Sequence, residues 1–404
     1  MSKRFFLLVA VIASALFVAA CGGGDDDDGG GGSDLSEAES YKVGYAASQT
    51  GRLAIFEEVF LEGLRAQIDA INDEGGIDGQ VKVELDVRDC ASDPQRCGVV
   101  AQELIDNEAQ FLISPCDVDA SLPAAQIAER AEVPILNSCG SGSSFREQVG
   151  EYAFLNVYGT EAEGQAMAEF ADKQDYKTAA MMTSNDIEYT ESIISSADAR
   201  FTELGNDVVE TQTFTLDAPR YTSQATAIAN SNPDVVMTSI FLPAAVTFLQ
   251  NLRGAGYTGP VIGPDGMEGE ELFSAGNAAK DVSVLTFGFP GTAPENATDE
   301  FYDLYEKATG ARPSLVIAAL GGDAAVLIEE AVTEAGTTNP PEVRDALDEL
   351  EGVVAPTGEI SYAGHEGVPA KDVVILRTNV PNEKFEFVDR FVPEAVEGEG
   401  GGEE

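Results

Sequence analysis

Carboxylates dominate the residues able to do chemistry: 71 Asp and Glu stand in a chain of 404 residues against 23 Lys and Arg, one His and five Cys. The lone imidazole, His365, lies in the turn-like stretch Gly364-His-Glu-Gly367, and no Gly-x-Ser-x-Gly elbow occurs anywhere. A Ser-His-acid triad therefore has a single candidate base, which disfavours a hydrolase of that kind. A His-ligated metal site meets the same shortage, so no catalytic residue, metal or cofactor is expected. Asp/Glu pairs are so frequent that a pair picked by eye has no specificity. The formal charge of −48 repels polyphosphate backbones and argues against a nucleic-acid partner.

The cysteines say more. Cys21 ends Val18-Ala19-Ala20-Cys21, after Lys3-Arg4 and the apolar run Phe5 to Val18. A basic start, a short apolar stretch and small residues before a boundary describe a signal peptide over 1–20. The small residues before a Cys resemble a prokaryotic lipobox, with Val18 where Leu is commoner, and imply lipidation of Cys21. An uncleaved anchor helix is the alternative, and either way the body is exported and membrane-tethered. In that compartment the remaining four, Cys90, Cys97, Cys116 and Cys139, favour disulfides, for which three pairings exist. Cys116 follows the apolar run Phe111 to Ile113 and Cys139 follows Val133 to Leu136, at the ends of two neighbouring strands. Cys116 is therefore paired with Cys139, and Cys90 with Cys97. A zinc site is the other option, but no CxxC is present.

Residues 21–40 read as a flexible tether of Gly with Asp25 to Asp28 inserted, and 394–404 as a disordered acidic tail. Twelve acids and two bases lie outside residues 41–393, which leaves 59 against 21 and a charge of −38 in the body. Most of that charge solvates an acidic surface. From residue 41, short apolar runs (Tyr41 to Ala46, Val81 to Val87, Phe111 to Ser114, Val133 to Asn137) alternate with helical patterns (Val59 to Asn72, Gly98 to Asn107, Pro123 to Ala131). The rhythm repeats from Thr178 to Phe287, with a helix pattern at Gly269 to Ala275. Alternation of this kind implies βαβ units, hence an α/β protein of two doubly wound parallel-sheet lobes with a cleft between them. Helical patterns from Glu300 to Glu351 and strand patterns at Ile360 to Tyr362, Val373 to Arg377 and Phe385 to Phe391 complete the lobes.

The segment Tyr45-Ala-Ala-Ser-Gln-Thr-Gly51, then Glu62-Gly-Leu-Arg65, then Ile71-Asn-Asp-Glu-Gly-Gly-Ile-Asp-Gly79, resembles the opening of the periplasmic branched-chain amino-acid-binding proteins, the type I solute-binding components of ABC importers. Asp93-Pro94, Pro134-Ile-Leu-Asn-Ser138 and Ile262-Gly-Pro-Asp-Gly266 extend the likeness over residues 41 to 393. It implies a clamshell with three crossovers, near Asn156 to Gly159, Phe289 to Gly291 and Ala355 to Glu359. Lobe 1 then comprises 41–157 with 290–356, and lobe 2 comprises 158–289 with 357–393.

The resemblance also implies ligand residues. Asp265 matches an acid on the ligand's ammonium, Phe56 an aromatic closing over its side chain and Tyr189 the aromatic of the second lobe, while Phe241 falls beside another aromatic position. One departure stands out. The family's hydroxyl-rich loop for a ligand carboxylate is here Cys116-Asp-Val-Asp-Ala-Ser121, where only Ser121 keeps a hydroxyl and Asp117 and Asp119 oppose an anion. The next loop, Gly140-Ser-Gly-Ser-Ser144, offers Ser141 and Ser143 instead. The function implied is a monomeric, lipid-anchored receptor that delivers an amino acid, amide or amine to an ABC importer permease. The alternative is a sensing module presenting the same clamshell to a receptor or kinase.

Overall fold

The computed structural model describes residues 34–215 and 218–393. The candidate signal peptide, Cys21, the first part of the tether and the tail 394–404 lie outside the described residues. The tether does not reach residue 40 as expected: Asp34 bridges to Thr337, Leu35 is buried, and a 3₁₀ turn spans Leu35–Glu37. One apolar side chain in a polar stretch is enough to tie the segment to the body.

The first sheet is built from β1 (Ser40–Ala47), α1 (Ala54–Asp73), β2 (Lys82–Asp89), α2 (Pro94–Asp106), β3 (Phe111–Ser114), α3 (Val118–Arg130), β4 (Ile135–Asn137), α4 (Phe145–Val149) and β5 (Ala153–Leu155). Its strand order is β2-β1-β3-β4-β5, all parallel. The period of two along a strand fixes which side chains face which helices. Tyr41, Val43, Tyr45 and Ala47 enter the core shared with α1, while Ala46 enters the core shared with α2 and α3. Where both faces are covered, as along β3 and β5, the strand is buried at every position and reads as a continuous apolar run, whereas the edge strand β2 alternates apolar with charged residues.

The second sheet follows α5 (Thr160–Lys173), with β6 (Thr178–Thr183), α6 (Glu188–Glu203), β7 (Asp207–Thr213), α7 (Thr222–Ser231), β8 (Val235–Thr238), α8 (Ala244–Gly254), β9 (Val261–Gly263) and β10 (Val282–Thr286). Next come α9 (Ala297–Thr309), α10 (Ile317–Ala335) and α11 (Pro340–Asp348), then β11 (Val353–Ala355), β12 (Gly358–Ile360), β13 (Val373–Asn379) and β14 (Lys384–Phe391). The order is β14-β13-β10-β9-β8-β6-β7. This sheet is mixed, not purely parallel. β13 runs antiparallel to β10, and β14 to β13, as a terminal hairpin must. α10 packs on α1 in the first lobe, although the chain has by then already built most of the second.

Several boundaries move. α3 starts at Val118, five residues before the expected Pro123, because Asp117 caps it by accepting from the Ala120 amide at 2.9 Å. The strand expected at Ile360–Tyr362 is Gly358–Ile360, paired with Val353–Ala355 in a separate hairpin. Gly269–Ala275 belongs to a 3₁₀ stretch, Glu270–Ala279, broken at Gly276. The short elements α4 and β5 carried no periodic signal long enough to read.

Where the chain passes between the two sheets, polar groups are sealed inside. Asp323, from α10, accepts from Lys371 Nζ at 2.7 Å, from the Thr357 amide at 2.9 Å and from the Thr357 hydroxyl. The Asp323 and Lys371 side chains are 0% and 1% exposed, so water cannot replace either partner. Asn156 joins the cluster, donating to the Leu320 carbonyl at 2.8 Å and lying 3.5 Å from Lys371 Nζ through its own carbonyl. Gly288 completes it: a Cβ there would meet the Thr357 Cα at 2.9 Å, so the passing segments touch only because this residue has no side chain.

Candidate functional site

Loops at the carboxyl ends of the parallel strands of both sheets enclose a cavity of about 80 Å³. At roughly 10–15 Å³ per water-sized body, that is room for about five to eight. The first lobe contributes Arg52, Leu53 and Phe56 at the start of α1, Cys116 to Asp119 at the start of α3, and Cys139 to Gly142 after β4. The second contributes Ile187 to Tyr189 at the start of α6, Phe241 after β8, and Asp265 with Gly266 after β9. This is the crevice in which open α/β sheets bind ligands.

Asp265 accepts from the Tyr189 hydroxyl at 2.7 Å, and its amide donates to Glu163 Oε1 at 2.7 Å. Glu163 is fully buried in α5 behind it. Burial first, and the neighbouring Asp265 carboxylate second, hold the Glu163 carboxyl well above its usual range, so Glu163 keeps the proton. Asp265 is itself pushed up by burial, against the opposing hydrogen bonds of Glu163 and Tyr189. Tyr189 and Phe241 meet edge to face with centroids 5.9 Å apart. Gly266 permits this: a Cβ there would lie 2.8 Å from the Phe241 Cβ and 3.0 Å from the Tyr189 hydroxyl.

On the opposite wall Asp117 does two things. Its Oδ1 caps α3 and its Oδ2 pairs with Arg52 Nη2 at 2.6 Å, with the Asp117 side chain only 8% exposed. Asp119 is exposed at the mouth, its carboxyl raised by partial burial and by Asp117. Beneath the loop, buried Glu57 of α1 accepts from the Tyr45 hydroxyl and from the Ser48 and Cys116 amides, yet burial still pushes it up to about 7. The loops after β3 and β4 are joined by the Cys116–Cys139 bridge, and Cys90–Cys97 ties the end of β2 to α2.

Of the residues expected from sequence, Phe56, Ser141, Tyr189, Phe241 and Asp265 line one cavity, and so do Asp117 and Asp119. Ser141 is 1% exposed and its hydroxyl has no hydrogen-bond partner among the described residues. Ser121 does not line the cavity. It is buried behind the loop, its hydroxyl within 2.9 Å of the Pro115 carbonyl and 2.8 Å of the Asp117 carbonyl, and it accepts from Asn137. Ser143 is likewise turned elsewhere, onto Glu161 of the second lobe. Its neighbour Ser144 spans the mouth to Glu188 at 2.7 Å, so the lobes touch. Arg52, Glu188 and Glu163 were not anticipated. Arg52 directly follows the turn at Gly51, and a base at a helix start was the available signal.

The comparisons agree with this architecture. Residues 40–384 match the family described as periplasmic binding protein, and the chain belongs to that family. It is 23% identical over 323 residues to the Leu/Ile/Val-binding protein homolog 1 of Brucella suis, covering 79% of this chain and 85% of that one. Against the leucine-, isoleucine-, valine-, threonine- and alanine-binding protein of Pseudomonas aeruginosa it is 21% identical, over 80% and 86% of the two chains. Two solved structures share the fold. One is a branched-chain amino acid transporter substrate-binding protein of Streptococcus pneumoniae in complex with isoleucine (TM-score 0.79, 22% identity, 88% and 100% covered). The other is an ABC-transporter solute-binding protein of R. palustris in complex with benzoate (TM-score 0.75, 20% identity, 88% and 98% covered).

Proposed function

We propose that this member of the periplasmic binding protein family is a monomeric extracytoplasmic receptor, lipid-anchored through Cys21, that captures a small ligand by lobe closure and delivers it to an ABC importer permease. The ligand is an amino acid of branched-chain type or a related amide or amine. Lobes 41–157 with 290–356 and 158–289 with 357–393 close as bodies about the buried segments near Asn156, Gly288 and Thr357. The observation that carries the reading is Asp265: a carboxylate held by the Tyr189 phenol, with no cation beside it among the described residues, in a two-lobed cavity lined also by Phe56, Tyr189 and Phe241. An ammonium supplies the missing charge, and Phe56, Tyr189 and Phe241 enclose the body of the ligand. Nothing in such a cycle makes or breaks a covalent bond.

A thermal-shift series with leucine, isoleucine, valine, leucinamide and 3-methylbutylamine tests this. A ligand at one hundred times its Kd stabilises the bound form by about 2.7 kcal/mol, a shift that melting curves resolve. An unmoved transition across the series sinks the reading. Cys21→Ser is expected to release the protein from the membrane fraction.

A further inference from the structure

The place where a zwitterion's carboxylate would have to sit is already filled by the chain's own. The first-turn amides of α3 and the guanidinium of Arg52 together form an anion site, and Asp117 occupies both: one oxygen at the Ala120 amide (2.9 Å), the other on Arg52 (2.6 Å). The neighbouring amides that face the loop are also committed, Cys116 to Glu57 and Gly140 to Asn137 Oδ1 at 2.6 Å. Around the rest of the wall stand Asp119, Glu188 and Asp265, with no second Lys or Arg among the lining residues. Ser141 adds a separate sign of a ligand: a sealed hydroxyl on this wall, without a partner among the described residues and able to accept from an N–H.

We propose that the cavity selects an organic cation with a branched apolar body and no carboxylate, a primary amine or amino-acid amide, over the zwitterionic amino acid. The proposal rests on the solute-binding reading above and narrows it. The ammonium pairs with Asp265 beside the rings of Tyr189 and Phe241, where an aromatic face also favours a cation. An amide head reaches Ser141. A carboxylate head would have to displace Asp117 from Arg52 and from the helix it caps, and would then face Asp119 at short range.

Calorimetric titration of the purified chain with leucinamide, 3-methylbutylamine, leucine and benzoate decides it. Leucinamide or the amine is expected to bind at least about tenfold more tightly than leucine, about 1.4 kcal/mol, and benzoate not at all. Leucine binding as tightly as leucinamide, or benzoate binding at all, overturns the inference and leaves the receptor reading intact. Silence from all four probes removes both. Asp117→Asn keeps a good helix cap but frees Arg52, so it is expected to narrow the leucinamide-to-leucine ratio by about tenfold. An unchanged ratio in a variant that melts like the parent shows that Asp117 does not set the preference, and the inference falls.

Discussion

Two aspartates are held inside this molecule, and they are neutralised in opposite ways. Asp323, where the chain passes between the sheets, has Lys371 at 2.7 Å and both hydrogen-bonding groups of Thr357. Asp265, in the cavity, has the Tyr189 phenol and, among the described residues, no cation. A buried charge without a partner is costly, so the first arrangement serves the fold and the second leaves a deficit for a ligand to fill. Glu57, raised by burial to about 7, and Glu163, raised well above its usual range, show a third solution, in which burial favours the protonated, uncharged form.

Breaking the comparison at the crossover has the largest expected effect. Lys371→Met strands Asp323 and should cost about 3–5 kcal/mol by denaturant titration. The double variant with Asp323→Leu should recover only part of that, since no charge is left to satisfy but the buried Thr357 amide and hydroxyl lose their acceptor. A single variant as stable as the parent would mean that water reaches Asp323. The reverse pattern is expected at Asp265. Asp265→Asn should leave the unliganded melting temperature unchanged or higher, while ligand affinity falls by the worth of one charged hydrogen bond, about 1.5–3 kcal/mol. If both variants lose stability equally, the distinction between the two aspartates fails.

The third solution gives the smallest effect, a pH dependence with an unusual sign. Glu57 titrates near 4.5 when unfolded and about 7 when folded, so the native state binds the extra proton. Its contribution to stability is fully present below pH 4.5 and is lost as pH rises through about 7. Glu268, also pushed up to about 7 by burial, adds to the same window. The urea midpoint should therefore fall between pH 5 and pH 7.5, and Glu57→Gln should flatten part of that fall. A midpoint that rises across the window would show Glu57 ionised in the native state.

Much of the frame was readable beforehand because periodicity is a local property. β1, β3, β6 and β8 are short apolar runs whose neighbours are helices, and their parallel pairing follows. The site was readable in part, and the failures have a common origin. Asp265 and the three aromatics were placed by likeness to a family, whereas Arg52 acquires its role from Asp117, 65 residues away, and no local pattern encodes that. Ser121 and Ser143 are hydroxyls in loops that border the cavity, but direction decides use, and both turn to the protein itself. Asp323 is the lone charge in Ile317-Ala-Ala-Leu-Gly-Gly-Asp-Ala-Ala-Val-Leu-Ile328, a local signal outside every motif read from the sequence, and its partner Lys371 lies 48 residues away.

The Cys116–Cys139 bridge bears on timing. It cross-links the two loops that carry Asp117, Asp119 and Ser141, so that half of the cavity wall has little conformational entropy left to lose when cargo arrives. On the proposed function, ordering on capture and loosening on release then fall to the second lobe's Tyr189, Phe241 and Asp265. How long a ligand stays is accordingly set on one side of the cleft, by how readily those residues draw away from a face that holds its shape whether or not anything is bound.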